Sequence, residues 1–108
     1  MKHLPTISRA KEEIDFLQKY VHLAETYETT TLHQQIIKAY AYTGSIQKVT
    51  DQINEERAAE KLLPIDTAFV SHTIQSRPQD PLHRLLRTNY MNKTKHTRRK
   101  PAKVELYR

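Results

Sequence analysis

The spacing of apolar residues along the chain predicts a small all-α bundle of four or five helices. In residues 7–27, apolar positions recur at intervals of three and four, which is typical of one helix face: Ile7, Ala10, Ile14, Leu17, Val21 and Ala24. A second stripe beside it consists of Phe16, Tyr20, Leu23 and Tyr27. Because this face is wider than one neighbouring helix needs, we expect it to pack either on the remaining helices or on a second copy of the chain.

Capping and turn residues predict the bounds of the next two helices. Thr31 begins a capping-box pattern, so helix two should follow it directly. The chain's single glycine, Gly44, stands where a helix end favours a left-handed residue, and Ser45 is a suitable cap for helix three. Residues 54–63 hold good helix formers. They either prolong helix three almost to Pro64 or form a charged connector.

Two shorter helices and a basic segment are predicted for the rest of the chain. Asp66 should cap a helix from Thr67 to about residue 76, whose inward residues are Phe69, Val70 and Ile74. Asp80 followed by Pro81 is a favoured helix start. Apolar residues nearly vanish from position 92 onward. We therefore predict a helical domain over residues 1–91 and a flexible basic arm over residues 92–108.

The positive charge of the protein is concentrated in its last quarter. The net charge is +6, and residues 84–108 hold nine Lys and Arg against one carboxylate, whereas residues 1–83 hold nine against eleven. Such a block attracts polyanions, namely nucleic acid, anionic lipid or an acidic protein. The alternative is a solvated tail that only keeps the protein soluble.

Residues 34–76 carry a pattern that resembles the helix-turn-helix of bacterial and phage DNA-binding proteins. A helix ending at Gly44 is followed by Ser45-Ile46-x-x-Val49-x-x-x-Ile53 and then by Thr67-x-x-Val70-Ser71-x-x-Ile74. The chain departs from the family in its turn, because thirteen residues separate Ile53 from Thr67. A turn of about three to four residues is usual in that motif.

The resemblance implies that residues 67–76 form a recognition helix in the major groove of double-stranded DNA. With Val70 and Ile74 buried, the predicted contacts on and after this helix are Thr67, Ser71, His72, Gln75 and Arg77. Gln can bond adenine, and Arg suits a guanine or a phosphate. In the basic arm, the predicted contacts with phosphates or a minor groove are Lys93, Lys95, Arg98, Arg99 and Lys100. RNA is less favoured, because most aromatic residues lie in the first two helices.

Other function classes find little support in the chain. It has no cysteine, its six histidines include no pair three or four residues apart, and one glycine cannot build a phosphate-binding loop. We therefore expect no enzyme activity, no cofactor and no metal. No apolar run approaches the length of a membrane span, and no secretory signal is visible. These features predict a soluble, cytoplasmic protein that does not enter membranes.

The sequence favours a non-catalytic DNA-binding protein, either a transcriptional regulator or an accessory factor of the bacterial or mobile-element kind. It also predicts a homodimer through helix one, with Leu17, Val21 and Ala24 near the contact. The alternative is a helical protein-interaction or dimerisation module whose basic tail is merely solubilising.

Overall fold

Five α-helices make up the computed structural model, which describes residues 4–97. In chain order they are α1 (Ile7–Glu25), α2 (Leu32–Thr43), α3 (Ile46–Ala59), α4 (Thr67–Gln75) and α5 (Pro81–Lys93). No strand occurs within these residues. The prediction of a small all-α bundle is therefore confirmed.

A side-chain oxygen caps the first turn of every helix. Thr6, Thr31, Ser45, Asp66 and Asp80 each accept a hydrogen bond from the backbone N–H three residues later. At Thr31 the reciprocal bonds of a capping box are complete, as the sequence predicts. The end of α2 is set by a left-handed Gly44 with φ 66°.

The connection between α3 and α4 shows how residues 54–63, which the sequence assigned either to helix three or to a connector, are divided. Residues up to Ala59 prolong α3, and a seven-residue segment, 60–66, then leads to α4. Asn54 holds this segment in place: its amide donates to the carbonyl oxygen of Ile65 and accepts from the N–H of the same residue, both at 2.8 Å. The connection is thus longer than a helix-turn-helix turn, but it is fixed to α3 by side-chain hydrogen bonds.

The hydrophobic core lies among α2, α3, α4 and α5. Helix α4, the shortest of the five, packs against all three of the others. Six apolar side chains of these helices are almost completely buried: Ile36, Ile37, Val49, Val70, Ile74 and Leu82. Their burial is the main favourable contribution to folding, at about 25 cal/mol per Å² of apolar surface removed from water.

Helix α1 is joined to this core only through its C-terminal half. Ala24 is buried there, and Tyr20, Leu23 and Tyr27 pack against the core. Ala24, which was predicted to lie near a contact between copies, is buried within its own protomer, where its small side chain lets α1 approach the core closely. By contrast, the large apolar residues at the preceding positions of the same stripe remain exposed: Ile7, Ile14, Leu17 and Val21.

Two details of α4 and α5 differ from the sequence prediction. Phe69 was expected to point inward but is 44% exposed, because Val70 and Ile74 fill the core side of a helix only nine residues long. Residues 92 and 93, assigned to the arm, continue α5, whose last turn is closed by Thr94 N–H donating to Tyr90 O. Residues 94–97 form turns after α5, and the rest of the predicted arm, residues 98–108, lies outside the described residues.

Candidate nucleic-acid interface

The outer surface of α4 divides into an exposed part and a part that is bonded to α5. Thr67 and His72 are exposed, and so is Arg77 just after the helix. Ser71 and Gln75 are instead half-buried. Only the exposed residues among these five are free to meet a ligand without a change in the packing of α4.

Ser71 and Gln75 belong to a hydrogen-bond chain between α4 and α5. The Gln75 amide donates to Ser71 Oγ at 2.9 Å, and Ser71 Oγ lies 2.9 Å from the hydroxyl of Tyr90 on α5. Arg87, also on α5, donates to the backbone oxygen of Gln75 at 2.9 Å. Ser71 and Gln75, two of the predicted DNA contacts, are therefore engaged in bonds within the protomer. Helix α4 has three neighbours, and the third, α5, covers this flank.

Positive charge dominates the chain from the start of α4. Residues 67–97 contain five Lys and Arg and a single carboxylate, Asp80. Both Asp80 oxygens accept hydrogen bonds within the protein. In contrast, α3 carries three exposed glutamates near its C-terminus: Glu55, Glu56 and the capping Glu60. Along the chain, the acidic end of α3 is thus followed by a segment whose Lys and Arg residues lie after α4, on α5 and beyond it.

The described basic residues of this segment lie along and after α5. Lys93 and Lys95 are exposed, and Lys93 Nζ lies 5.8 Å from the ring centroid of Tyr40. Arg84 is exposed as well, on the first turns of α5, and was not among the predicted contacts. Its signal in the sequence is its place in the basic block 84–108, which holds nine Lys and Arg against one carboxylate. The other predicted contacts, Arg98, Arg99 and Lys100, lie outside the described residues.

A buried polar cluster stabilises the junction of α1, α2 and α5 behind this surface. His83 is completely buried, accepts from Gln79 N–H at Nδ1 and donates through Nε2 to Ile74 O at 3.0 Å. Asp80 caps the His83 N–H and accepts a 2.7 Å hydrogen bond from the Tyr27 hydroxyl. Burial and this bond to Asp80 raise the pKa of Tyr27. The start of α5 is thereby tied to the end of α1 and to α4.

His33 of α2 is the least satisfied member of this cluster. Its ring meets the ring of His83 edge-on, with centroids 4.9 Å apart. The His33 Nε2 atom is buried and has no hydrogen-bond partner within residues 4–97. Burial and the neighbouring His83 lower the pKa of His33, while Asp80 opposes this shift. A proton on His33 is therefore disfavoured in the folded state.

We expect folding stability to fall as the pH is lowered from about 7 towards 5, through the usual titration range of histidine. His33 has a lower pKa in the folded than in the unfolded chain, so the unfolded chain binds more protons below pH ~6.5. Thermal unfolding at several pH values measures the effect. The variant His33→Phe keeps an aromatic ring but cannot be protonated, so its stability should change less. An identical pH dependence in both proteins would contradict this role of His33.

Comparison of the chain with family models, with curated proteins and with solved structures finds no match. The class of protein is therefore defined by its fold and its charge distribution alone: it is a five-helix all-α domain with a basic C-terminal segment. Within residues 4–97, no helix has the length and apolar character needed to cross a membrane. Those residues also contain no group of three His, Asp or Glu side chains arranged to hold a metal ion.

Proposed function

We propose that this protein binds double-stranded DNA without catalysis, as a transcriptional regulator or an accessory factor of the bacterial or mobile-element kind. The observation that carries the proposal is the distribution of charge. From Thr67 to the end of the described chain, exposed cations face solvent, and the single carboxylate is engaged in internal bonds. A DNA backbone approaching this segment meets attraction with little opposing charge.

Contacts with phosphates would provide most of the affinity. The exposed cations Arg84, Lys93 and Lys95 are followed in sequence by Arg98, Arg99 and Lys100. Neutralising phosphates with such residues releases condensed counterions, which favours binding to duplexes of any sequence. This part of the interaction is expected to be strongly dependent on salt concentration.

Base reading would fall to the exposed residues of α4 rather than to its whole outer face. Thr67 can present its methyl group to thymine, and Arg77 can bond guanine O6 and N7 together. His72 projects from the same helix and is exposed. Ser71 and Gln75, which are bonded to each other and to α5, act in this proposal as supports that hold α4 in position.

The variant Arg77→Ala should lose about 1–3 kcal/mol of affinity on a DNA site selected from random duplexes and much less on unselected DNA. The reason is that a base contact contributes only where the correct base is present. Fluorescence anisotropy with both duplexes, at a fixed salt concentration, measures the difference. Thr67→Ala and His72→Ala are tested in the same way.

The matched control for this experiment is Lys48→Ala, which removes an exposed cation from α3, on the acidic part of the domain. It should leave both affinities nearly unchanged. Gln75→Ala removes the hydrogen bond from Gln75 to Ser71. It should therefore lower the free energy of unfolding and leave the preference for the selected site nearly unchanged. If none of the variants at Thr67, His72 and Arg77 loses more affinity on the selected site than on unselected DNA, α4 does not read bases.

The second candidate is a protein-interaction module, which is favoured by the exposed apolar residues of α1. Binding of the full chain to duplex DNA, single-stranded DNA and RNA at several salt concentrations separates the two functions. Salt-dependent binding to duplex DNA supports the first. A protein that binds none of the three polyanions even at low salt would contradict the DNA-binding proposal.

A further inference from the structure

Helix α1 presents an apolar surface that the described residues of its own protomer, 4–97, leave uncovered. We call it the α1 seam and define it by five residues: Ile7, Ala10, Ile14, Leu17 and Val21. Four of them are large and exposed, at 72% for Ile7, 56% for Ile14, 54% for Leu17 and 48% for Val21. At 3.6 residues per turn, all five fall within about 80° of the helix circumference. The seam is thus one continuous stripe and not a scatter of single residues.

The α1 seam lies apart from the side of α1 that packs on the core. The core-facing residues of α1, namely Tyr20, Leu23 and the buried Ala24, are centred about 0.3 of a turn away from the centre of the seam. A partner can therefore cover the seam while the contacts of α1 with the rest of its protomer stay in place.

The spacing of the seam fits a second α-helix with the same repeat. Its residues follow one another at intervals of three, four, three and four, which is the pattern of a two-helix coiled-coil contact. A second copy of α1 has this repeat by necessity.

The charges of α1 also complement a second copy, provided that it runs in the opposite direction. Lys11 and Glu25 border the seam on the same flank, about 80° and 40° from its centre, whereas Glu12 and Lys19 lie on the opposite side of α1. In an antiparallel pair like flanks meet, so Lys11 lies near the partner's Glu25, and the two helix dipoles oppose each other favourably. A parallel copy in register would set this flank against the opposite one and lose that pairing.

We propose that the protein forms a homodimer in which the α1 seams of two copies pair antiparallel. In this arrangement Ile14 packs against the partner's Leu17, and Ala10 packs against the partner's Val21. Lys19 pairs with Asp15 of its own helix at 3.1 Å and lies on the side of α1 away from the seam, so this ion pair takes no part in the contact. The groove between α1 and α5, with a volume of about 270 Å³, borders Leu17 and extends the apolar contact toward Leu85. The dimer does not depend on the proposed DNA binding.

Sedimentation equilibrium of the full chain at 10–100 μM tests the assembly. The wild type should have about twice the chain mass of 12.7 kDa. Leu17→Glu and, separately, Val21→Glu should shift the equilibrium to the monomer, because each would place a carboxylate in an apolar contact. Both positions are exposed in the protomer, so circular dichroism should show unchanged helix content. The matched control is Leu63→Glu, which makes the same change at a residue that is 81% exposed in the α3–α4 connection and should leave the dimer intact.

Disulfide cross-linking tests the direction of the two helices, since the chain has no cysteine of its own. In the antiparallel dimer, position 10 lies beside the partner's position 21, and two copies of position 10 are about 16 Å apart along the axis. Cross-linking needs Cα atoms within about 7 Å. A mixture of Ala10→Cys and Val21→Cys should therefore cross-link under mild oxidation, and neither variant should do so alone.

Three outcomes overturn the proposal. A wild-type monomer at 100 μM excludes the dimer, and a dimer that both glutamate variants leave intact places the contact elsewhere. Cross-linking of each cysteine variant with itself would show a parallel pair. If a glutamate variant loses its helix content, the seam belongs to the stability of the protomer, and the cysteine mixture, which introduces no charge, decides the assembly.

Discussion

Removal of residues 95–108 is expected to weaken binding to duplex DNA of every sequence and to make that binding less dependent on salt. The deletion takes away six Lys and Arg and one Glu but leaves α5 and its closing residue Thr94 in place. For each phosphate that the shortened chain no longer neutralises, the slope of log K against log salt should fall by about 0.9. Because the deletion removes six cations, the affinity at low salt should fall by orders of magnitude. Titrations of labelled duplex at 50–200 mM salt measure both quantities.

A full-length variant separates the effect of charge from that of chain length. Replacement of Lys95, Arg98, Arg99 and Lys100 by Gln should reproduce most of the loss. As the control, Lys48 and Lys61 are replaced by Gln. These two exposed lysines lie on α3 and in the connection that follows it, so the slope should change little. Unchanged affinity and slope after the deletion would identify the segment as a solubilising tail and would leave the charge argument for DNA binding without support.

Replacement of Asp80 by Ala is expected to destabilise the fold by about 2–4 kcal/mol. One part is the loss of the α5 cap, since Asp80 Oδ1 accepts from His83 N–H, and a cap contributes about 1 kcal/mol. The other part is the Tyr27 hydroxyl, which is half-buried and would lose its 2.7 Å hydrogen bond to Asp80 Oδ2. A polar group left unpaired in this way costs about 1–3 kcal/mol. Urea unfolding followed by circular dichroism gives the change in the free energy of unfolding.

Asp66→Ala is the matched control for this experiment, because Asp66 caps α4 through a hydrogen bond from Phe69 N–H and is not bonded to another helix in the way that Asp80 is. It should cost only about 1 kcal/mol. A double-mutant cycle of Asp80→Ala with Tyr27→Phe isolates the link between α1 and α5. Equal losses for the two aspartate variants and a coupling near zero would show that the bond across 53 residues contributes nothing to stability.

Two parts of the molecule are proposed to bind different partners. The segment from α4 onward is basic and is proposed to meet DNA, while the exposed stripe of α1 is proposed to meet a second copy of the chain. Asp80 and Tyr27 connect the two regions through one side-chain hydrogen bond. A dimer would present two basic segments at a fixed distance and orientation. Small DNA-binding proteins gain affinity in this way from two modest half-sites.

Local chemistry in the sequence determined where the helices begin and end. Thr31, Ser45, Asp66 and Asp80 cap helices at the predicted positions, and Gly44 adopts the left-handed conformation expected of it. These features depend on atoms within about four residues along the chain, so they can be recognised from the sequence without knowledge of the fold. The inward positions Val70 and Ile74 follow from helix periodicity for the same reason.

Tertiary packing alone decided which polar residues are available for binding. Periodicity places Ser71 and Gln75 opposite the core, but it does not reveal that α5 lies there and that Tyr90 and Arg87 bond to them. The burial of His83 and the exposure of Leu17 likewise depend on which neighbour each helix meets. A pattern of apolar and polar residues defines the faces of a helix. Only contacts between residues far apart in the chain determine which face is covered, because each helix has more than one face that another helix can cover.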